Sequence, residues 1–261
     1  MQLQGFIFNW KGHESRAARL EEKIGKLIQV TVINSEEGLG AVHPQWVHLD
    51  DSAYFSAQWN EALARFTGDI LFHIQADAEL DRVDELFEAT LALFEKYPIG
   101  VCEPNVDYTP HIYDISKLHA IESQIYEVPM TDCTCWFLSA EIIRNFAPVD
   151  LSINRYGWGI SRAVAALCRL QERLCVRDYR FKVDHPKYTG YPENTAWSEF
   201  WSYVKSQNSD MQREMIRQEQ ARMKALSPLS PHWARMSATA RGNPAPIPRS
   251  ASSPILDPLV K

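Results

Sequence analysis

The sequence predicts an α/β fold in which a mostly parallel central sheet is flanked by helices. Short apolar runs that are typical of strands alternate with segments whose apolar residues recur every three or four positions, as they do on one face of a helix. The composition agrees, because 261 residues with 45% hydrophobic and 23% charged side chains can form an ordinary globular core.

The first predicted elements are two strands with a helix between them. Residues 3–9 and 28–33 are short, largely apolar runs, and the segment between them carries a helical apolar stripe. A second helix is predicted over 52–67, because its apolar residues share one face and Ser52 can act as its N-cap.

The next strand lies in the stretch GDILFHIQADAEL. Its first half has the apolar residues of a buried strand, but Gln75, Asp77 and Glu79 then follow on alternate positions. Alternate residues of an extended chain point to the same side, so these acceptor groups are predicted to share one small volume. Crowded carboxylates repel unless a cation or a proton neutralises them, and their oxygens suit Mg²⁺ or Mn²⁺. The alternative is that Asp77 and Glu79 only end the strand and cap the next helix.

The rest of the chain continues the alternation and ends in a proline-rich tail. In order, the predicted elements are helix 82–97, strand 99–103, a long irregular stretch 104–129, strand 133–139, helix 140–146, helix 160–172, strand 174–185 and helix 196–225. The tail holds seven of the 15 prolines, which indicates disorder. The predicted organisation is a domain over 1–195, a helix over 196–225 and a flexible tail over 226–261.

Charge, cysteine content and hydropathy exclude several classes of protein. The net charge of −6 is unfavourable for nucleic-acid binding, which usually depends on a basic face. Five cysteines at scattered spacings, with no signal-peptide pattern at the amino terminus, predict reduced thiols and a cytoplasmic localisation. The sequence has no run of about 18 apolar residues, so no membrane-spanning helix is predicted.

Polar residues follow the first three predicted strands. The first strand ends at Asn9, the second leads into residues 34–37, and the third delivers Gln75, Asp77 and Glu79. In open α/β sheets, ligands bind outside the carboxyl ends of the strands. Converging polar groups at several strand ends therefore predict a binding cleft at this edge of the sheet.

Two segments resemble GT-A-type glycosyltransferases, in the large group that includes many bacterial polysaccharide transferases. The first segment is SAQWNEALARFTGDILFHIQADAEL. In the family, a helix with an Asn leads into Gly-Asp or Gly-Glu and then into an apolar strand that ends in Asp-x-Asp. Asn60, Gly68, Asp69 and Asp77 match this layout. Gln75 stands where the first Asp of the motif usually stands, so the motif here is Gln-x-Asp.

The resemblance implies a single GT-A-like domain with a metal-assisted site for a nucleotide sugar. Asp77 would bind Mn²⁺ or Mg²⁺, while Gln75 and Asn60 would contact the nucleotide. Asn9 and Glu36 stand where base and ribose contacts usually fall in this group, although each can instead be a turn or capping residue. The missing carboxylate of the motif weakens the expected metal site, and the glutamate two residues after the aspartate can compensate.

The second segment reads RYGWGISRAVAALCRLQERLCVRDYRFKVDHPKYTGY and resembles the acceptor side of the same group. Members often read Gly-Trp-Gly-x-Asp, followed by a helix, a strand and His-Pro. The matching residues here are Gly157, Trp158, Gly159, His185 and Pro186. By this resemblance, His185 completes the metal site and Trp158 stacks on a sugar ring. The alternative for His185 is a surface histidine at a strand end.

The chain departs from the family at the catalytic base. Ser161 occupies the position where the family places an acidic base, and a serine hydroxyl cannot act as a general base near neutral pH. Asp132, just before the strand at 133–139, is the candidate replacement. A retaining reaction, in which the leaving diphosphate accepts the proton, and donor binding without transfer both stay open. Ser161 also has a simpler interpretation as a helix-start residue.

The predicted function is transfer of a sugar from a nucleotide-diphosphate sugar to a carbohydrate or lipid-linked glycan acceptor. A non-catalytic sugar-nucleotide-binding or scaffolding protein is the first alternative, because it accounts for Gln75 and Ser161 directly. A nucleotidyltransferase ranks third, because the first strand is not followed by a glycine-rich basic loop. The helix over 196–225 is predicted to pack on the domain, and its second use would be peripheral contact with a membrane, at the inner face.

Overall fold

The computed structural model describes residues 1–107, 109, 111–186 and 192–227. In these ranges the helices are α1 (Glu14–Gly25), α2 (Phe55–Arg65), α3 (Val83–Lys96), α4 (Ala140–Asn145), α5 (Ile160–Leu170), α6 (Glu193–Ser206) and α7 (Ser209–Ala225). The strands are β1 (Leu3–Asn9), β2 (Gln29–Asn34), β3 (Val47–His48), β4 (Ile70–Gln75), β5 (Glu79–Leu80), β6 (Ile99–Val106), β7 (His119–Glu122), β8 (Ile125–Glu127), β9 (Cys135–Ser139) and β10 (Leu174–Asp184).

All of these strands belong to one sheet. The order is β3-β2-β1-β4-β9-β6-β10-β8-β7, and β5 pairs with the end of β10. β9 runs antiparallel to both neighbours, β4 and β6, so strands β1, β2, β3, β4, β6 and β10 all run in the same direction. The predicted α/β fold with a mostly parallel central sheet is therefore confirmed.

The core lies in two layers, one on each face of the sheet. Alternate strand residues enter opposite layers, as the pleat requires: Phe6 and Phe8 of β1 pack in one layer and Ile7 in the other. The first layer also contains buried residues of α2, α4, α5, α6 and α7, whereas the second contains those of α1 and α3. Because helices cover both faces of the sheet, we expect a site at the carboxyl ends of the strands.

Three predicted elements differ from the structure. Ser52 does not cap α2: its backbone N donates to Asp50 Oδ1 at 2.8 Å, and α2 begins after Tyr54 without a side-chain cap. The stretch 104–129 is not irregular throughout, because β6 continues to Val106 and the β7–β8 hairpin follows. The helix predicted over 196–225 is two helices.

The break between α6 and α7 has a local cause. Asn208 is the N-cap of α7, and its Oδ1 accepts hydrogen bonds from the backbone N of Asp210 at 3.1 Å and of Met211 at 3.0 Å. Both helices pack on the domain, since Phe200 and Met215 are buried in the first core layer. Residues 228–261 of the predicted flexible tail lie outside the described residues. None of the described helices is both long and apolar enough to cross a membrane.

We expect Gly159→Ala to destabilise the protein. Gly159 has φ +100°, and a Cβ there would lie 2.8 Å from Phe200 Cδ2, so the change adds backbone strain and a clash with α6. The expected loss is roughly 1–3 kcal/mol in the free energy of unfolding, measured by chemical denaturation. Gly38→Ala is the matched control, because Gly38 has φ +82° with nothing within 4 Å of its Cβ position. Equal losses in the two variants would contradict the clash.

Candidate functional site

Asp77 and His185 meet because a short antiparallel pairing joins the segments that contain them. Asp77 follows β4 by two residues, and the chain then forms β5, whose Leu80 and Glu79 pair with Val183 and Asp184 at the end of β10. His185 comes directly after β10. The register therefore sets the two residues side by side at the carboxyl-end edge of the sheet.

The Asp77 and His185 side chains are close and largely buried. Asp77 Oδ2 lies 3.6 Å from His185 Nε2, and the side chains are 5% and 15% exposed. The backbone N of His185 donates to Asp107 Oδ1 at 2.9 Å, which holds the histidine in place. Burial raises the pKa of the Asp77 carboxyl, and the neighbouring His185 and His13 act in the opposite direction. A cation between Asp77 and His185 would oppose this cost of burial.

The two side chains fit a divalent cation by their donor atoms. Asp77 Oδ1 and His185 Nδ1 are buried without a hydrogen-bond partner, so the carboxylate keeps an unused acceptor. One carboxylate and one imidazole are common ligands of Mn²⁺. Within the described ranges no group of three His, Cys, Asp or Glu residues is arranged to hold a metal ion. The protein therefore offers two ligands here, and a bound ion would take its other ligands from a substrate or from water.

Three residues at this site have no role in the sequence analysis. Arg16, on α1, donates from Nη1 to the backbone O of Asp77 at 3.0 Å, and its Nη2 lies 3.9 Å from Glu79 Oε1. His13 precedes α1, and its Nδ1 is buried without a partner. Asp107 follows β6. The available signal is topological, because His13 and Arg16 lie in the segment that follows β1 and Asp107 directly follows β6.

The first two strand ends are tied together by buried amides. Asn9 is fully buried, and its Nδ2 donates to Asn34 Oδ1 at 2.7 Å. The backbone O of Asn9 accepts from Gln58 Nε2 at 2.7 Å. Glu36 is half-buried, and its Oε2 accepts from the backbone N of Gly12 at 3.2 Å. Asn9 therefore holds the carboxyl ends of β1 and β2 together. Glu36 lies closer to solvent.

Asn60 and Gln75 have different surroundings. Asn60 Nδ2 donates to the backbone O of Val149 at 2.8 Å, and Asn60 Oδ1 accepts from Val149 N at 2.8 Å. The amide of Asn60 is thus already engaged, and we assign it to holding the segment before α5 rather than to the nucleotide contact predicted from the resemblance. Gln75 is half-buried at the end of β4, and its side chain makes no hydrogen bond within the described residues.

Asp132 lies at the same edge of the sheet as Asp77. Because β9 runs antiparallel to β4, the residues before β9 adjoin the carboxyl end of β4, and Gln75 N donates to Thr134 O at 2.9 Å. Asp132 is half-buried, and its carboxylate has no hydrogen bond or ion pair among the described residues. A carboxylate left free beside a candidate cleft is available to a substrate.

Trp158 and Ser161 lie just before and just after the start of α5. Ser161 is 7% exposed in the first turn of α5, and the N-cap of this helix is Gly159, which provides no side-chain cap. Ser161 therefore lies at the start of the helix, as the simpler interpretation predicted, but it is not the N-cap. Trp158 is half-buried, and its ring meets that of Trp197 edge-on with centroids 5.1 Å apart. The Trp158 ring thus lies against α6, beside the start of α5.

Comparison with known proteins identifies the fold. No protein-family model matches the chain, and no curated protein matches it in sequence. Among solved structures, GalNAc-T7 with UDP, GalNAc and Mn²⁺ matches with a TM-score of 0.55 and 12% identity over 94% of this chain and 59% of that one. The mannosyltransferase PcManGT from Pyrobaculum calidifontis, in complex with GDP-Man and Mn²⁺, matches with a TM-score of 0.52 and 12% identity over 99% and 78%. The chain spans less than two thirds of the GalNAc-T7 chain. These similarities show that this chain has the fold of the GT-A-type glycosyltransferases.

Proposed function

We propose that the protein transfers a sugar from a nucleotide-diphosphate sugar to a carbohydrate or lipid-linked glycan acceptor. The observation that carries the proposal is the Asp77–His185 pair, 3.6 Å apart at the carboxyl-end edge of the sheet. The two solved structures of the same fold contain UDP or GDP-Man together with Mn²⁺, and this supports a nucleotide-sugar donor here.

Asp77 and His185 would hold a Mn²⁺ or Mg²⁺ ion. Such an ion supplies Lewis-acid stabilisation to a departing diphosphate. Gln75 and Glu36 keep polar groups near solvent at the adjoining strand ends, and we assign them to the nucleotide. Trp158 would contact the acceptor or the transferred sugar through its ring face. Gln75 and Asp77 lie at and just after the end of β4, Glu36 follows β2, His185 follows β10, and Trp158 precedes α5.

The proposed reaction is a displacement at the anomeric carbon of the donor. The acceptor hydroxyl oxygen forms the new glycosidic bond, while the bond between the anomeric carbon and the diphosphate oxygen breaks. The electron pair leaves with the nucleoside diphosphate. The Asp132 carboxylate accepts the proton of the acceptor hydroxyl as general base. Ser161 takes no part in proton transfer, because its hydroxyl is not basic enough.

A non-catalytic sugar-nucleotide-binding protein is the second candidate. Gln75 in place of a carboxylate and Ser161 in place of an acidic base both favour it. It shares the donor site and lacks only the chemical step, so measured turnover separates the two. The cytoplasmic localisation and the membrane contact through 196–225 stay predictions.

A panel of nucleotide sugars, titrated with and without Mn²⁺, tests the proposal. We expect at least one to bind the full chain more tightly with Mn²⁺ than with a chelator, and to release its nucleoside diphosphate during incubation. Calorimetry measures the binding, and chromatography of the nucleotide products measures turnover. Tight binding without turnover across a panel of acceptors would favour the non-catalytic candidate, and no binding of any donor would contradict both.

A further inference from the structure

A buried ion pair lies directly beneath Asp132. Glu103 of β6 and Arg177 of β10 are neighbours in the sheet register and are 0% and 1% exposed. Glu103 Oε1 accepts from Arg177 Nε at 2.7 Å and also from Nη2. Glu103 Oε2 accepts from the backbone N of Asp132 at 2.5 Å. The carboxylate thus binds the guanidinium with one oxygen and the Asp132 backbone with the other.

The same pair holds a second loop. Arg177 Nη1 donates to the backbone O of His111 at 2.6 Å, and its guanidinium lies 5.0 Å from the ring centre of Tyr113. The hydroxyl of Tyr113 donates to the backbone O of Met130 at 2.7 Å. The segments around His111 and around Asp132 are therefore tied to one ion pair and to each other.

Burial of the Glu103 and Arg177 charges carries a desolvation penalty, so stability alone does not explain why this pair is present. Burial raises the pKa of the Glu103 carboxyl, and the Arg177 guanidinium opposes that shift. A buried ion pair is often no more stabilising than apolar side chains of similar volume, so its charges add little to the core by themselves. What they supply here is directional hydrogen bonding to two loop backbones, while the Asp132 carboxylate keeps no partner among the described residues.

We infer that Glu103 and Arg177 are positioning residues that hold the Asp132 carboxylate toward the acceptor hydroxyl. The inference rests on the proposed function and deepens it, because it assigns the buried pair to the base. Glu103 and Arg177 do not touch the substrate: Glu103 fixes the Asp132 backbone, and Arg177 fixes both Glu103 and the adjoining loop. A base whose backbone is held in advance needs less ordering in the transition state.

A pair of double variants tests the inference in the full chain. Glu103→Met with Arg177→Met removes both charges at similar volume and removes the acceptor for Asp132 N. Glu103→Gln with Arg177→Met also removes the charges but keeps an amide oxygen that can accept from Asp132 N. We expect the first variant to lower kcat on the order of 10- to 100-fold with donor Kd unchanged, and the second to recover part of the loss.

Combination with Asp132→Asn separates positioning from a merely structural role. If the pair acts through Asp132, the Glu103→Met and Arg177→Met changes should add little further loss to a chain that already carries Asp132→Asn. Losses that multiply, or an unchanged kcat in the first variant, would overturn the inference. Glu141→Met with Arg173→Met is the matched control, since it removes a half-buried Glu–Arg pair whose arginine directly precedes β10.

Hydrogen exchange keeps the test independent of turnover. The Asp132 amide should be protected in the wild type and in the Gln-containing variant, and should exchange faster in the double-methionine variant. If the three proteins unfold at the same denaturant concentration, equal exchange of the Asp132 amide in all of them would refute the hydrogen bond from Asp132 N to Glu103. A wild type that turns over no donor would instead refute the proposed function and the catalytic role of Asp132, while the exchange result still decides whether Glu103 holds its backbone.

Discussion

Asp77→Asn is expected to abolish metal-dependent binding of the donor. Asp77 is buried beside His185, and its Oδ1 has no hydrogen-bond partner, so the carboxylate keeps an acceptor for a cation. A neutral amide is a poor ligand for Mn²⁺. The loss should exceed the roughly 10- to 100-fold that removal of an outer-shell partner costs in metal affinity. Calorimetric titration of Mn²⁺ in the presence of UDP measures it.

The control for this change is Asp81→Asn. Asp81 is exposed four residues later and makes no hydrogen bond or ion pair within the described residues, so its variant carries the same change in charge. We expect wild-type affinity for the metal and the nucleotide in that variant. An Asp77→Asn protein that binds Mn²⁺ and UDP as the wild type does would remove the metal site from the proposed function.

Asp132→Asn is expected to remove transfer and leave donor binding intact. The Asp132 carboxylate is free among the described residues, and its backbone N is held by Glu103 at 2.5 Å, so an amide can take its place without disturbing that contact. General-base catalysis contributes on the order of 10²–10⁴-fold, and kcat should fall by that amount. The donor Kd should stay within about twofold, because the acceptor-side carboxylate does not hold the nucleotide.

The activity of the Asp132→Asn variant distinguishes the base from the retaining alternative. If Asp132 accepts the proton, the Asp132→Asn variant should lose most of its kcat. If the leaving diphosphate accepts the proton instead, Asp132→Asn should retain most of kcat. The anomeric configuration of the product, read by NMR, gives an independent answer.

The fold was predictable because its long elements have strong periodic patterns. The β1–α1–β2 unit and α3 follow directly from apolar spacing, and their bounds differ by only a few residues from the prediction. The break at Asn208 was missed because composition alone favours one continuous helix, whereas the side-chain cap decides where α7 begins. The hairpin within 104–129 was missed because β7 and β8 are only four and three residues long.

The candidate site was only partly predictable. The alternation of Gln75, Asp77 and Glu79 is visible in the sequence, but His185, the partner of Asp77, lies more than a hundred residues away, and the resemblance alone connected them. β5, the two-residue strand that brings them together, is too short to leave a periodic signal. The contact of Asn60 with Val149 was not predicted, because it depends on tertiary structure. Glu103 and Arg177 look like ordinary charged residues until their burial is known.

The most direct measurement is a crystal structure of the full chain grown with Mn²⁺ and UDP, with anomalous diffraction recorded to locate manganese. We predict one strong anomalous peak within ligand distance of an Asp77 oxygen and a His185 nitrogen, which is about 2.0–2.3 Å for such ligands. The diphosphate oxygens should complete its coordination. Manganese bound to UDP elsewhere on the chain, with Asp77 and His185 in contact only with each other, would contradict the assignment of this pair to the donor site.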